Sequence, residues 1–308
     1  MKAVWIRLAI ATGVLLLLSA IVLGVVWKYA PRLQHAADRN KSPAQLRQEQ
    51  AALEKMDQAR RENVAELHRE MDAKGGDIVS GTTARMDRAQ ALLDETARQF
   101  QGDERTAIKL LSQRLDELRK KSQAFERAIT ALKEASYLAP ESLPDLAAIA
   151  ERRRLVEQLL AANEALTASV RDLESNLRAD FETHLTSKER AAEFARTFAR
   201  SAHTEAQLKI REYDRQLGTL ALAQLDLLAT QWGAWKLDDT GAVQFTDAES
   251  AKQYEEQQRM IQAAAEAQMA VQQQMLAESE RSAAANAPPG NNAAAIRPSP
   301  TPAASPNP

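Results

Sequence analysis

Cysteine is absent from this chain of 308 residues, and aromatic side chains supply only 5% of it. Without cysteine there is no disulfide, no thiol nucleophile and no thiolate to ligate zinc, and the redox compartment stays open. Few aromatics argue against a thick core, because Phe, Tyr and Trp bury the most area per residue. Nor does either charge dominate: 40 Lys+Arg stand against 42 Asp+Glu, a net of −2. That balance removes the clustered basic footprint that general nucleic-acid binding needs. What the chain has is alanine, 59 residues within an apolar fraction of 44%. Strong helix formers between sparse large side chains make up long helices, so the expected fold class is all-α.

One stretch stands apart. From Leu8 to Trp27 the chain reads LAIATGVLLLLSAIVLGVVW, twenty residues without a charge. As a helix rising 1.5 Å per residue it matches a hydrocarbon core of roughly 30 Å. Trp5, Trp27 and Tyr29 sit where amphipathic rings favour the headgroup regions, and Lys28 and Arg32 can snorkel beyond them. A cleaved signal peptide has a shorter apolar region and a small-residue exit, which Leu23 to Trp27 do not provide. The reading is a leader over 1–7, a membrane helix over 8–27 that acts as a signal anchor, and a juxtamembrane linker over 28–42. The flanking charges nearly balance, so they do not orient the span. A short leader before a large soluble segment favours the bulk on the extracytoplasmic, periplasmic side.

Ser42-Pro43-Ala44-Gln45 opens the first soluble helix as a capping box, with a stripe of Leu46, Leu53, Met56, Val64, Leu67 and Met71 up to the connector Gly75-Gly76. The next arm carries Leu93, Ala97 and Phe100. After a disturbance at Gln101 to Glu104 it continues as a heptad seam of Ile108, Leu111, Leu115, Leu118, Ser122, Phe125, Ile129 and Leu132. The disturbance reads as a stutter in a continuing supercoil. Pro140 and Pro144 stop the helix, and Ser142 is the expected cap of the next one. The return arm resumes the seam with Ile149, Val156, Leu159, Asn163, Leu166, Val170, Leu173 and Leu177. Together they predict a coiled-coil hairpin or bundle over 43–237 with its tip at 139–145, pairing position i with about 282 − i, so that Thr83 faces roughly Ala199. A capping box at Thr186 to Glu189 marks a kink or a continuous helix. The dense apolar stretch from Leu217 to Trp232 needs a cover, for which the first arm or a second copy of the chain is the candidate.

Beyond it, Trp235 to Leu237 and Ala242 to Phe245 flank Asp238-Asp239-Thr240-Gly241, a β-hairpin within 233–245. Thr246 with Glu249 is expected to cap a Gln/Ala-rich helix over 247–281, with Tyr254, Ile261, Met269 and Leu276 as sparse apolar points. Residues 282–308 are mostly Ala, Pro, Asn and Ser with Arg297 as the one charged side chain, a composition that reads as a disordered tail.

No motif specifies catalysis, a cofactor or a metal, so the chain reads as a non-enzyme. His184 and His203 are expected on helix surfaces, and Asp238 to Gly241 reads as a hairpin turn because the later ligands of a calcium loop are missing. Trp232, Trp235 and Phe245 are candidate partner contacts, weighed against internal packing. Arg152, Arg153 and Arg154 form a second candidate contact near the tip, weighed against a solvated face. Asn163 falls at an a-like position where a buried amide can set register or oligomeric state, weighed against partial exposure. The expected partners are the lipid bilayer, an unidentified protein and a second copy in a homo-oligomer, with no nucleic acid. The expected function is a membrane-anchored scaffold or spacer. A signal-transducing coiled coil and an adaptor subunit of an envelope export complex are the alternatives. A topology reporter fused after Arg281 is expected to read extracytoplasmic, and deleting residues 8–27 to release the chain from the membrane fraction.

Overall fold

The computed structural model describes residues 42–72, 82–136, 138–185 and 187–285. They are mostly helical, with one small antiparallel sheet. Helix α1 is Pro43–Asp72, α2 Thr82–Gln99 and α3 Gly102–Glu134. A 3-10 turn at Pro140–Ser142 leads to α4 Leu146–Arg171 and, almost without interruption, α5 Leu173–His184. Then come α6 Lys188–Ser201, α7 Thr204–Thr230, strands β1 Trp235–Leu237 and β2 Val243–Phe245, and α8 Ala248–Ala285. The membrane span with its anchors Trp5, Trp27, Tyr29, Lys28 and Arg32, the linker over 28–41, the Gly75-Gly76 connector and the tail from 286 lie outside the described residues. Among the described residues no helix is long and apolar enough to cross a membrane.

The heptad seam is the core. Ile108, Leu111, Leu115, Leu118, Ser122, Phe125, Ile129 and Leu132 of α3 are buried, as are the seam residues of α4 and α5 from Ile149 to Leu177. Most polar residues between them face water, as the 3.6-residue period dictates, while Ser112 and Arg152 are buried. At the first helix the capping box forms as read: the Gln45 amide donates to Ser42 Oγ at 3.3 Å and Ser42 N–H to Gln45 Oε1 at 2.8 Å.

The single long hairpin gives way to a series of reversals. At Phe100 and Gln101 the chain turns back, with Gly102 at φ +57, a left-handed conformation that suits glycine. Ser112 Oγ donates to Asp94 at 2.7 Å and Thr83 hydroxyl to Glu126, so α2 and α3 are antiparallel neighbours. The stutter is therefore a chain reversal, and Thr83 faces α3 rather than Ala199. Helix α5 ends at His184 and α6 starts at Lys188, and their rings Phe181 and Phe194 meet edge-on at 5.1 Å. The helix is broken there, neither kinked nor continuous.

The turn at 139–145 does reverse the chain, but asymmetrically. Arg114 pairs with Asp180 at 2.6 Å, whereas a symmetric hairpin would set it against a residue near position 168. The start of α4 thus projects past the end of α3, and Ser142 lies against it through Arg152. The cap of α4 is Asp145, which accepts from Ala148 N–H at 2.7 Å, and not Ser142, whose hydroxyl donates to the Ala139 carbonyl at 2.6 Å. Likewise Asp247 caps α8 by accepting from Ser250 N–H at 2.8 Å, while Thr246 Oγ donates to Ala234 O. Helix α8 runs on to Ala285, past the expected end at 281.

Helix α7 is covered by α4 on one side and α8 on the other, and α1 packs chiefly on α2 through contacts such as Lys55 with Glu95 at 2.8 Å. The first arm is not the cover of the Leu217 to Trp232 stretch. Helices α4 and α7 approach closely at Gly218, where an added Cβ would lie 2.5 Å from Leu160 Cδ2 and 2.9 Å from its Cγ. Gly218→Val is expected to cost about 2 kcal/mol by overpacking, and Leu160→Ala in the same chain to recover part of it. Urea unfolding of the four corners of this double-mutant cycle checks the coupling.

Candidate functional site

Each element at one end of the bundle is placed by a local hydrogen bond. Strand β1 pairs antiparallel with β2 in the register Trp235 to Phe245 and Leu237 to Val243. Asp238 closes the turn by accepting from the Thr240 hydroxyl at 2.7 Å and from the amides of Ala242 at 3.0 Å and Thr240 at 2.8 Å, which holds its carboxyl below the usual range. Its acceptors are thus engaged with the turn, and no group of three or more His, Cys, Asp or Glu among the described residues can hold a metal ion. Trp235 Nε1 donates to the Leu228 carbonyl at 2.9 Å, occupying an acceptor at the end of α7. Phe245 packs on Tyr254 of α8 at 5.6 Å, and burial pushes the Tyr254 hydroxyl up to about 12.

Two of these aromatics lie on the core while Trp232 does not. Trp235 and Phe245 are half-buried, whereas Trp232 is 40% exposed and stands edge-on to Trp235 at 5.5 Å. Opposite them runs the 140–144 turn. Pro140, Glu141, Leu143 and Pro144 join Trp232, Gly233, Trp235 and Leu237 around a cleft of about 350 Å³. The turn and the tryptophan pair, some ninety residues apart in sequence, form one site. Of the four large exposed apolar side chains among the described residues, Leu146 and Trp232 belong to this end, and the others, Met260 and Met269, are spread along α8.

The three arginines do not act together. Arg152 is buried and donates through Nη2 to Ser142 Oγ at 3.3 Å, pinning the turn onto α4, and desolvation lowers its pKa. Arg153 pairs with Glu157 at 3.1 Å and with Asp226 across to α7. Arg154 binds Glu151 at 2.8 Å. The last two fit the solvated-face reading, and the first is a structural pin.

A larger cleft of about 500 Å³ opens at the α6–α7 junction between Arg200, His203, Lys209, Glu205 and Glu278. His203 is not a surface histidine: it is 18% exposed at φ +47, with Nε2 3.3 Å from Ser279 Oγ and Nδ1 3.5 Å from Glu278. The order serine, histidine, glutamate resembles a nucleophile relay. Yet Ser279 is buried, donates to the Met275 carbonyl at 2.9 Å and does not line the cleft, so no nucleophile is presented. His184 is exposed, with Nδ1 2.8 Å from the Asp180 carbonyl.

The feature that sequence reasoning missed is a polar layer inside the bundle. Arg211 of α7 is 1% exposed, lies 4.6 Å over the Phe125 ring of α3 and pairs with Asp214 at 3.1 Å. Gln268 of α8 donates to Asp214 at 2.6 Å, and Asn163 of α4 donates to the Arg211 carbonyl at 2.9 Å. Asn163 is 2% exposed rather than partly wet, and it ties two helices of the same chain. The only signal was an arginine and an aspartate one helical turn apart beside apolar neighbours.

No protein-family model matches the chain, and no curated protein or solved structure matches it.

Burial pushes the Asp214 carboxyl up to about 6 from 3.8, against the opposing pull of Arg211 and Gln268. Its folded pKa lies above the unfolded one, so its contribution to stability is full below about pH 4 and is lost as pH rises through about 6. Relative to Asp214→Asn, the unmodified chain is expected to lose on the order of 2–3 kcal/mol between those pH values, as 1.36 kcal/mol per unit implies. Urea midpoints of both chains from pH 4 to 7 measure this.

Proposed function

We propose that this protein is a non-catalytic, single-pass membrane protein whose helical bundle holds a docking cleft away from the bilayer, with its bulk outside the cytoplasm. The observation that carries the reading is Trp232: a tryptophan left 40% exposed beside Trp235, Pro140 and Pro144 has the composition of an interface hot spot. The direction of the chain supports the spacer role. Helix α1 begins at the opposite end, since it runs antiparallel to α2, α2 to α3, and the start of α3 lies beyond the Arg114 to Asp180 pair toward the end of α5. Helices α4 and α5, of 26 and 12 residues, separate that end from the cleft by about 57 Å at 1.5 Å per residue. An anchor at 8–27 therefore leaves the cleft facing away from the membrane.

A relay of register through Gly102 has no continuous helix to travel along, because the chain reverses there. The docking reading is tested with a photo-crosslinking side chain at Trp232 and, as a control, at Met260. Discrete adducts at position 232 that are missing at 260 are the expected result, with Trp232→Ala leaving helicity and membrane insertion intact. Equal labelling at both positions, or none at 232, overturns it.

A further inference from the structure

We propose that the cleft receives a proline-rich strand of another protein, in polyproline II conformation and carrying an arginine or lysine beside its prolines. The inference rests on the docking reading above and names the occupant of that site. Three features of the cleft select this chemistry. Its lining brings two tryptophans, set edge-on, together with two prolines, and ring-lined grooves of this kind suit the ridged surface of a polyproline II strand. Such a strand arrives already extended, so little conformational entropy is lost on docking, and a cleft of about 350 Å³ suffices for a few residues. Glu141 supplies the charge selection: its exposed carboxylate lines the same cleft and has a basic residue as its complement.

The chain carries such a segment itself, Arg297-Pro298-Ser299-Pro300-Thr301-Pro302, and seven of its eleven prolines follow Ala287. Its Arg297 does not reach Glu141 within its own bundle. Helix α8 starts beside the β-hairpin at the cleft end and carries the chain away for 38 residues, about 57 Å. Arg297 lies twelve residues beyond Ala285, and twelve fully extended residues span at most about 43 Å. A parallel neighbour anchored in the same membrane meets the same shortfall. The segment is nevertheless the right probe, because as a free peptide it has the required chemistry without the tether.

The test uses the full chain in detergent and a fluorescent peptide of residues 294–305, read by anisotropy. Saturable binding is expected, weakened at least tenfold by Trp232→Ala. It should weaken severalfold with Glu141→Gln or with Arg297→Ala in the peptide, and that part should vanish at high salt. A peptide with its prolines replaced by alanine should not bind. Equal binding of the alanine peptide, or binding indifferent to Trp232→Ala, overturns the proposal. So does a chain truncated after Ala285 that binds the peptide much more tightly, since the tail would then be the native occupant. So does light scattering that shows a dimer lost with Trp232→Ala, since a second copy would fill the cleft. If adducts form at position 232 while the peptide fails to bind, the docking reading stands and this occupant is wrong; if neither occurs, both fall.

Discussion

The Arg211 guanidinium is the point around which the bundle is arranged. It sits on α7 with 1% exposure, and the groups around it come from three other helices: the Phe125 ring from α3, Asn163 from α4 through the Arg211 carbonyl, and Gln268 from α8 through Asp214. Removing a charge from water is costly, and attraction to one carboxylate at 3.1 Å only partly offsets it. A layer of this kind contributes little net stability. It is demanding, however, because a shift of any one helix strands a buried polar group, and that carries the full desolvation penalty. The surrounding leucines and alanines are tolerant by comparison, since an Ala-rich seam packs almost equally well one turn up or down.

Much of the fold was legible because helices announce themselves by period. Every seam position from Ile108 to Leu132 and from Ile149 to Leu177 is buried, and the β-hairpin falls where a turn-forming tetrapeptide separates two alternating runs. The reversals were less legible. A glycine that interrupts a heptad pattern has the same sequence signature whether the helix relaxes or turns back, and Gly102 adopts a positive φ only because α2 has α3 to fold against. The caps show the same ambiguity on a smaller scale. Ser142 and Asp145, or Thr246 and Asp247, both offer an oxygen near the helix start, and the carboxylate, the stronger acceptor, takes the N-cap in each case.

The candidate site was half legible for a different reason. The tryptophans stood out because aromatics are scarce, and the 140–144 turn because prolines end helices. Their union depends on stagger, which periodicity does not encode. Arg114 meets Asp180 instead of a residue near 168, so α4 overshoots α3 and carries the turn to the level of Trp232. Three arginines in a row likewise promised a patch. Successive helical residues point about 100° apart, so one entered the core and two faced outward.

Stagger also links the polar layer to the cleft. The contacts of Gln268 with Asp214 and of Ser279 with His203 hold α7 and α8 in one antiparallel register over more than ten residues. The β-hairpin is the connection between these helices, fastened to α7 by Trp235 at Leu228 and to α8 by Phe245 at Tyr254. A one-turn slip of α8 would move Tyr254 by about 5.4 Å. Phe245 would lose its platform and Trp235 would be drawn from its acceptor, so the tryptophan wall would no longer face Pro140 and Pro144. Asp214 and Gln268 lie on the order of 25 Å from that wall along α7, yet the register they impose determines whether the wall exists. On this argument the buried charges are retained for geometry at the bundle end rather than for stability at its centre.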